Sequence, residues 1–153
     1  MLSAAVGLAQ EFDLPGFVKA DEQIPAQTPE ADQQVAVFRI DLQATDDGAV
    51  DAKVISQRIV NSFAPKATAR SGGDWEVRVD GDRSIRFTIP NPLFVDVESR
   101  DDKVPHERRR LNSYEWTLVV PLYDQRGPVG AERITVTNLS TKDIILEAAV
   151  RQE

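Results

Sequence analysis

Trp75-Glu-Val-Arg-Val-Asp80-Gly-Asp-Arg-Ser-Ile85-Arg-Phe-Thr-Ile89 reads as a β-hairpin. Trp75, Val77 and Val79 alternate with Glu76 and Arg78. Ile85, Phe87 and Ile89 alternate with Arg86 and Thr88. A period of two places each apolar set on one face of a strand. Directly opposed residues share a face, so odd numbers must pair with odd: Val79 with Ile85, Val77 with Phe87. A two-residue Asp-Gly loop would pair Val79 with Asp82 and turn every apolar side chain over. The parity therefore predicts a three- or five-residue loop, despite the Asp80-Gly81 dipeptide. It also sets Arg78 opposite Arg86.

The same alternation runs in eight stretches between Val35 and Val150. Ahead of the hairpin, Ala36, Phe38, Ile40 and Leu42 share a face, and Asp46-Asp47-Gly48 is a turn. Val50, Ala52 and Val54 follow. The pattern then slips to Ile55 and Ile59, which predicts a β-bulge near Ser56. After the hairpin, Pro90-Asn91-Pro92 breaks the strand, because proline donates nothing to a ladder. Leu93, Val95 and Val97 begin another strand, and Ser99 to Asn112 reads as charged and irregular. The strongest strand carries Tyr114, Trp116, Leu118, Val120 and Leu122 on one face. Gln125-Arg126-Gly127-Pro128 turns the chain. Ile134 and Val136 form the next strand, and Ile144, Leu146, Ala148 and Val150 form the last. Short strands with frequent turns and no amphipathic helix predict an all-β antiparallel β-sandwich, immunoglobulin-like in the loose architectural sense.

The division of the chain follows from composition. Residues 34–153 make the single β domain, and 153 residues suffice for a core without staples. Residues 11–33 read as an extended N-terminal arm: Leu14-Pro15-Gly16-Phe17-Val18 is a turn between apolar residues, and Ala20 to Gln33 is polar and acidic with Pro25 and Pro29. Residues 1–10 read as a signal-peptide remnant, since Gly7-Leu8-Ala9 fits a small-x-small cleavage site. The basic segment of a full signal is missing, because the first basic residue is Lys19. Two readings stay open: a longer signal, or an ordinary helical turn over residues 2–9. The first implies a periplasmic or extracellular bacterial protein; a cytoplasmic one fits the second.

Chemistry is sparse. The chain has no cysteine and one histidine, His106, and carries a formal net charge of −7. No thiol nucleophile, thiolate site or disulfide is available. Acidity disfavours nucleic acid, which requires a basic face to displace counterions. No stretch is long and apolar enough to span a membrane. His106 lies in the charged run Pro105-His106-Glu107-Arg108-Arg109-Arg110 with no G-x-S-x-G elbow elsewhere, so a solvated loop residue is the simpler reading. Zinc is disfavoured because multi-histidine and cysteine ligand sets are absent. No cofactor is implied.

Four weaker constellations remain. Arg108, Arg109 and Arg110, and separately Arg78 with Arg86, could take an anion through guanidinium forks. The interleaved Asp101, Asp102, Glu107 and Glu76 favour solvated or salt-bridged surface in both cases. Asp80 and Asp82, or Asp46 to Asp51, could offer carboxylates to calcium. Counted from Asp80, however, Asn91 stands where an EF-hand needs glutamate, and turns want Asp and Gly for backbone reasons alone. A hydrolase would need two carboxylates across a cleft. Glu76, Asp96, Glu98 and Glu115 are nominees without an aromatic platform, since Trp75 and Trp116 fall on core faces. Finally, second faces carry apolar residues: Val119, Pro121 and Tyr123 on the strongest strand, with Phe94 and Ile145 nearby. Such rows are either covered by something or are scattered surface apolars that need no explanation. A protein partner, a second copy, or the arm with Leu14, Phe17 and Val18 would supply a cover. The expectation is a non-catalytic module with a structural or protein-binding role.

Overall fold

A computed structural model of the protein describes residues 27–69, 72–97 and 107–152. These residues are all-β apart from one 3-10 turn at Lys66–Ala69. Leu14, Phe17, Val18, Glu98 and His106 lie outside the described residues.

Strands β1 (Gln34–Ala44) and β2 (Val50–Asn61) form a hairpin. Strand β7 (Ser113–Pro121) pairs with the other side of β1, giving the order β2-β1-β7. A second antiparallel sheet has the order β11-β10-β3-β4. Its strands are β3 (Trp75–Asp80), β4 (Ile85–Ile89), β10 (Arg133–Asn138) and β11 (Ile144–Ala149). Two small ladders lie outside these sheets: β5 (Phe94–Val97) with β6 (Glu107–Arg110), and β8 (Tyr123–Asp124) with β9 (Gly127–Pro128).

The hairpin register obeys the parity argument. Val79 pairs with Ile85, Val77 with Phe87 and Arg78 with Arg86, leaving the five residues 80–84 as the connection. Every odd residue of β3 is buried and every even one half-buried. The buried rows of the two large sheets, Phe38, Ile40 and Leu42 with Val77, Val79 and Ile134, belong to a single hydrophobic cluster. Each such side chain contributes roughly 1.5–3 kcal/mol by leaving water. Trp75 of one sheet meets Trp116 of the other edge to face, with ring centroids 5.8 Å apart. That geometry suits the ring quadrupoles.

The bulge expected near Ser56 falls one residue earlier. Arg39 pairs with Ser56 and Ile40 with Val54, so Ile55 is the extra residue. It points outward and is 49% exposed, whereas Ile59 packs on the core. A second irregularity, between Val136 and Thr137, leaves Ile145 unpaired in β11. Ile145 therefore packs against the core and Ile144 is 62% exposed, the reverse of the simple alternation. Two further expectations fail. Ser99 to Asn112 is not wholly irregular, because Glu107–Arg110 forms β6 against β5. All four residues of both strands are exposed, so no alternation marks them. Val95 and Val97 accordingly lie outside the core, and only Leu93 of that row is buried. Tyr114, expected inside, is 43% exposed although its partner Leu42 is buried. It sits on an edge strand at the mouth of a groove described below.

The bulge and the core separate in a stability experiment. Phe38→Ala should cost about 3–5 kcal/mol in urea denaturation, from lost transfer energy and a cavity. Ile55→Ala should stay within about 0.5 kcal/mol, as surface changes do. Equal losses would contradict the register.

Candidate functional site

Each large sheet ends in two edge strands, and the edges meet in two seams of different character. On one side β2 approaches β11 around an open groove of about 680 Å³. Its lining is mixed: apolar residues such as Ile55 and Ile59 stand among Lys53, Gln57, Arg58, Glu147 and Arg151. With its amide turned to satisfy both partners, Gln57 bridges the seam: it donates to Ala149 O (3.2 Å) and accepts from Arg151 N (2.9 Å).

On the other side β4 and β7 flank a groove of about 560 Å³. Here the lining is apolar: Phe87, Ile89, Phe94, Tyr114, Trp116 and Val119 are among its residues. Among the described residues, no strand pairs with the second edge of β4 or of β7. The groove is thus an apolar floor between two rows of backbone donors and acceptors, the arrangement an added strand requires.

Local chemistry holds the walls in place. Asp74 Oδ2 accepts from Asn91 N (3.0 Å) and from Arg108 (3.3 Å), and Asn91 Oδ1 accepts from Leu93 N (3.0 Å). The Pro90-Asn91-Pro92 corner is rigid through its prolines and these bonds. Arg108 also lies over the Phe94 ring, 4.7 Å from its centroid, a cation–π contact. The opposite wall includes Pro65 and Thr68. Thr68 Oγ1 donates to Pro65 O (2.7 Å), and Tyr123 Oη accepts from Ala64 N (2.7 Å).

Sequence reasoning named Phe94 and Val119 as partner contacts, and both line this one groove. Tyr123 does not line it; it lies in β8, beyond the end of β7, and positions the wall through Ala64. Tyr114, Phe87 and Ile89 line it too. All three read as core, and Phe87 and Ile89 do pack in it, whereas Tyr114 is 43% exposed; that they also border a groove follows only from the spatial neighbourhood of two edges. Their apolar character was the one available signal.

The arginines divide. Arg108, Arg109 and Arg110 lie on β6, with Arg108 committed to Asp74 and Phe94 and Arg110 donating to Gly48 O at 3.3 Å. Arg78 and Arg86 face each other in the other ladder, and Arg78 pairs with Asp80 at 2.9 Å. The two groups of arginines lie on different ladders.

The carboxylate turns serve the backbone. Partial burial alone would raise the Asp80 carboxyl; hydrogen bonds from Ser84 and Arg78, with the charges of Arg78 and Arg133, outweigh it and hold the group low. Asp47 is held low chiefly by the Thr45 hydroxyl, then by Ala49 N. Next to Asp82, Arg83 makes a fork of two 2.9 Å bonds to Asp124 and donates to Gly127 O (3.1 Å) and Pro128 O (3.0 Å). Asp82 N donates to Val129 O (2.8 Å). A Cβ on Gly81 would collide with the backbone of Val129 and Gly130. The hairpin tip is therefore clamped to the β8–β9 turn. Among the described residues no group of three or more His, Asp or Glu could hold a metal ion, and no helix is long and apolar enough to cross a membrane.

No known protein family matches this chain, and no curated protein or solved structure matches it either.

The clamp has a pH signature. The Arg83 hydrogen bond, aided by Arg126 N, holds the Asp124 carboxyl below its ordinary 3.8. A depressed value in the folded state contributes stability above the ordinary value, lost as pH falls through the folded one. Asp47 and Asp80 act in the same sense. Urea midpoints should hold from neutral pH to about pH 5 and then fall as the pH drops below the ordinary carboxylate range. Asp124→Asn should lower the neutral plateau and flatten the acid slope. An unchanged slope would remove Asp124 from this account.

Proposed function

We propose that the chain is a non-catalytic β-sandwich module, immunoglobulin-like in the loose sense, that binds a protein segment or makes structural contacts. The shared core of the two large sheets and the Trp75–Trp116 contact support the sandwich. One observation carries the binding role: an apolar groove bounded by two strand edges that no described strand occupies. Its rim includes Phe94 and Val95, each 37% exposed, and Tyr114 at 43%. Exposed apolar surface of this kind, flanked by free edges, suits an extended apolar segment: ladder bonds supply affinity and alternate side chains supply specificity. The apolar, small-residue run Leu2 to Ala9 supports export to the bacterial periplasm or cell surface. Binding of calcium or a small anion draws less support, because Asp80, Arg78 and Arg108 each have partners within the protein. A carboxylate hydrolase has only the surplus of acids behind it.

The test is a strand-forming peptide with alternating apolar residues, titrated into the isotopically labelled full chain. Amide shifts should cluster on β4 and β7. Tyr114→Glu should weaken binding about tenfold or more, since a desolvated carboxylate in the groove is costly. Shifts on the β2–β11 seam instead, or none, would overturn the reading. Fractionation of cells expressing the intact gene tests export.

A further inference from the structure

We propose that the β4–β7 groove is covered by the protein's own N-terminal arm, through residues Glu11 to Val18. This rests on the groove being a protein-binding site and names its resident occupant.

Three observations converge on this segment. The first is where the chain enters the described structure. Ser62 N donates to Gln33 O at 3.0 Å, so the residues leading into β1 lie beside the start of the 62–69 segment. Three residues further on, Pro65 forms part of the groove wall. The arm is therefore tethered at the groove's own end of the first sheet. Leu14 is thirteen residues ahead of Gln27, a reach of up to about 45 Å. The groove runs along Tyr114 to Val119, about 20 Å of strand. Length does not restrict docking.

The second is pattern. In Glu11-Phe12-Asp13-Leu14 the apolar residues alternate with acids, and Pro15 biases Leu14 to extended backbone. A strand laid beside β7 would turn Phe12 and Leu14 to the apolar floor and Glu11 and Asp13 to solvent. Pro15 would end the ladder where its missing N–H does no harm. Phe17 and Val18 follow Gly16 as a second apolar pair.

The third is charge. Residues 11–26 hold four carboxylates and one lysine. On the groove's rim Arg108, above Phe94, is taken by Asp74, but its neighbour Arg109 is exposed and stands in the ladder opposite Val95, which lines the groove. An acidic segment is attracted to that rim, and its tether keeps its effective concentration high.

The chain has no cysteine, so an introduced pair reports one contact without background. In the full chain, Leu14→Cys combined with Tyr114→Cys, or with Val95→Cys, should form an intramolecular disulfide under mild oxidation. Leu14→Cys with Ile55→Cys, on the opposite seam, should form it about tenfold more slowly. All three partner sites are exposed, so the substitutions spare the core. Equal rates for all pairs would overturn the proposal. Disulfide-linked dimers alone would transfer the occupant to a second copy and overturn it as stated. A second measurement uses the peptide. Phe12→Asp/Leu14→Asp should bind it about tenfold more tightly than the unaltered chain, because the competing arm is gone. Equal affinity for both chains would sink the arm and leave the groove's binding role standing. Binding to neither would remove both.

Discussion

Trp116 faces two ways, and much of the molecule depends on that. Its ring meets Trp75 edge to face across the core, joining the two large sheets. It also lines the groove between β4 and β7. Burying two indoles in one contact is worth more than their area alone. The strand that carries Trp116 is nevertheless an edge strand, paired only with β1 among the described strands. One side chain thus joins the two sheets and lines the groove. The core must be closed behind it for the groove to have a floor.

The two seams show how edges are managed. An unpaired edge invites further strands, and proteins blunt it with charge, bulges or cover. The β2–β11 seam uses all three means: Lys53 and Arg58 along it, the Ile55 bulge, and the Gln57 amide bonded across to β11 backbone. The β4–β7 seam has none of these along its floor. It has instead a rigid proline corner, a wall pinned by Tyr123, and apolar side chains between. One edge is guarded against pairing; the other is left open by the described strands.

Clamping of the loops follows the same economy. Arg83 reaches Asp124 and two carbonyls at once, which a lysine's point charge could not do with the same geometry. Asp80, which with Asp82 looks like a calcium ligand in the linear chain, is in space the partner of Ser84 and Arg78, and Asp124 is the partner of Arg83 and the Arg126 amide. Turn chemistry accounts for them.

Period-two alternation made the buried rows of β1, β3, β4 and β7 legible, because a residue facing a core must be apolar whatever lies across from it. Parity went further and set the hairpin register, since a slip by one would expose every apolar side chain. Both follow from local geometry. The slip near Ser56 was legible, though not which residue is the extra one; the extra Ile145, the strand Glu107–Arg110 and the open position of Tyr114 were not. A bulge depends on the partner strand, a ladder wet on both faces leaves no periodic mark, and exposure depends on what stands opposite. Which faces are apolar, and that the chain forms strands, can be read from the order of residues alone. Which sheet edges meet cannot. That choice separates a mixed, bridged seam from a mostly apolar, open one, because it is made by contacts between residues far apart in the chain.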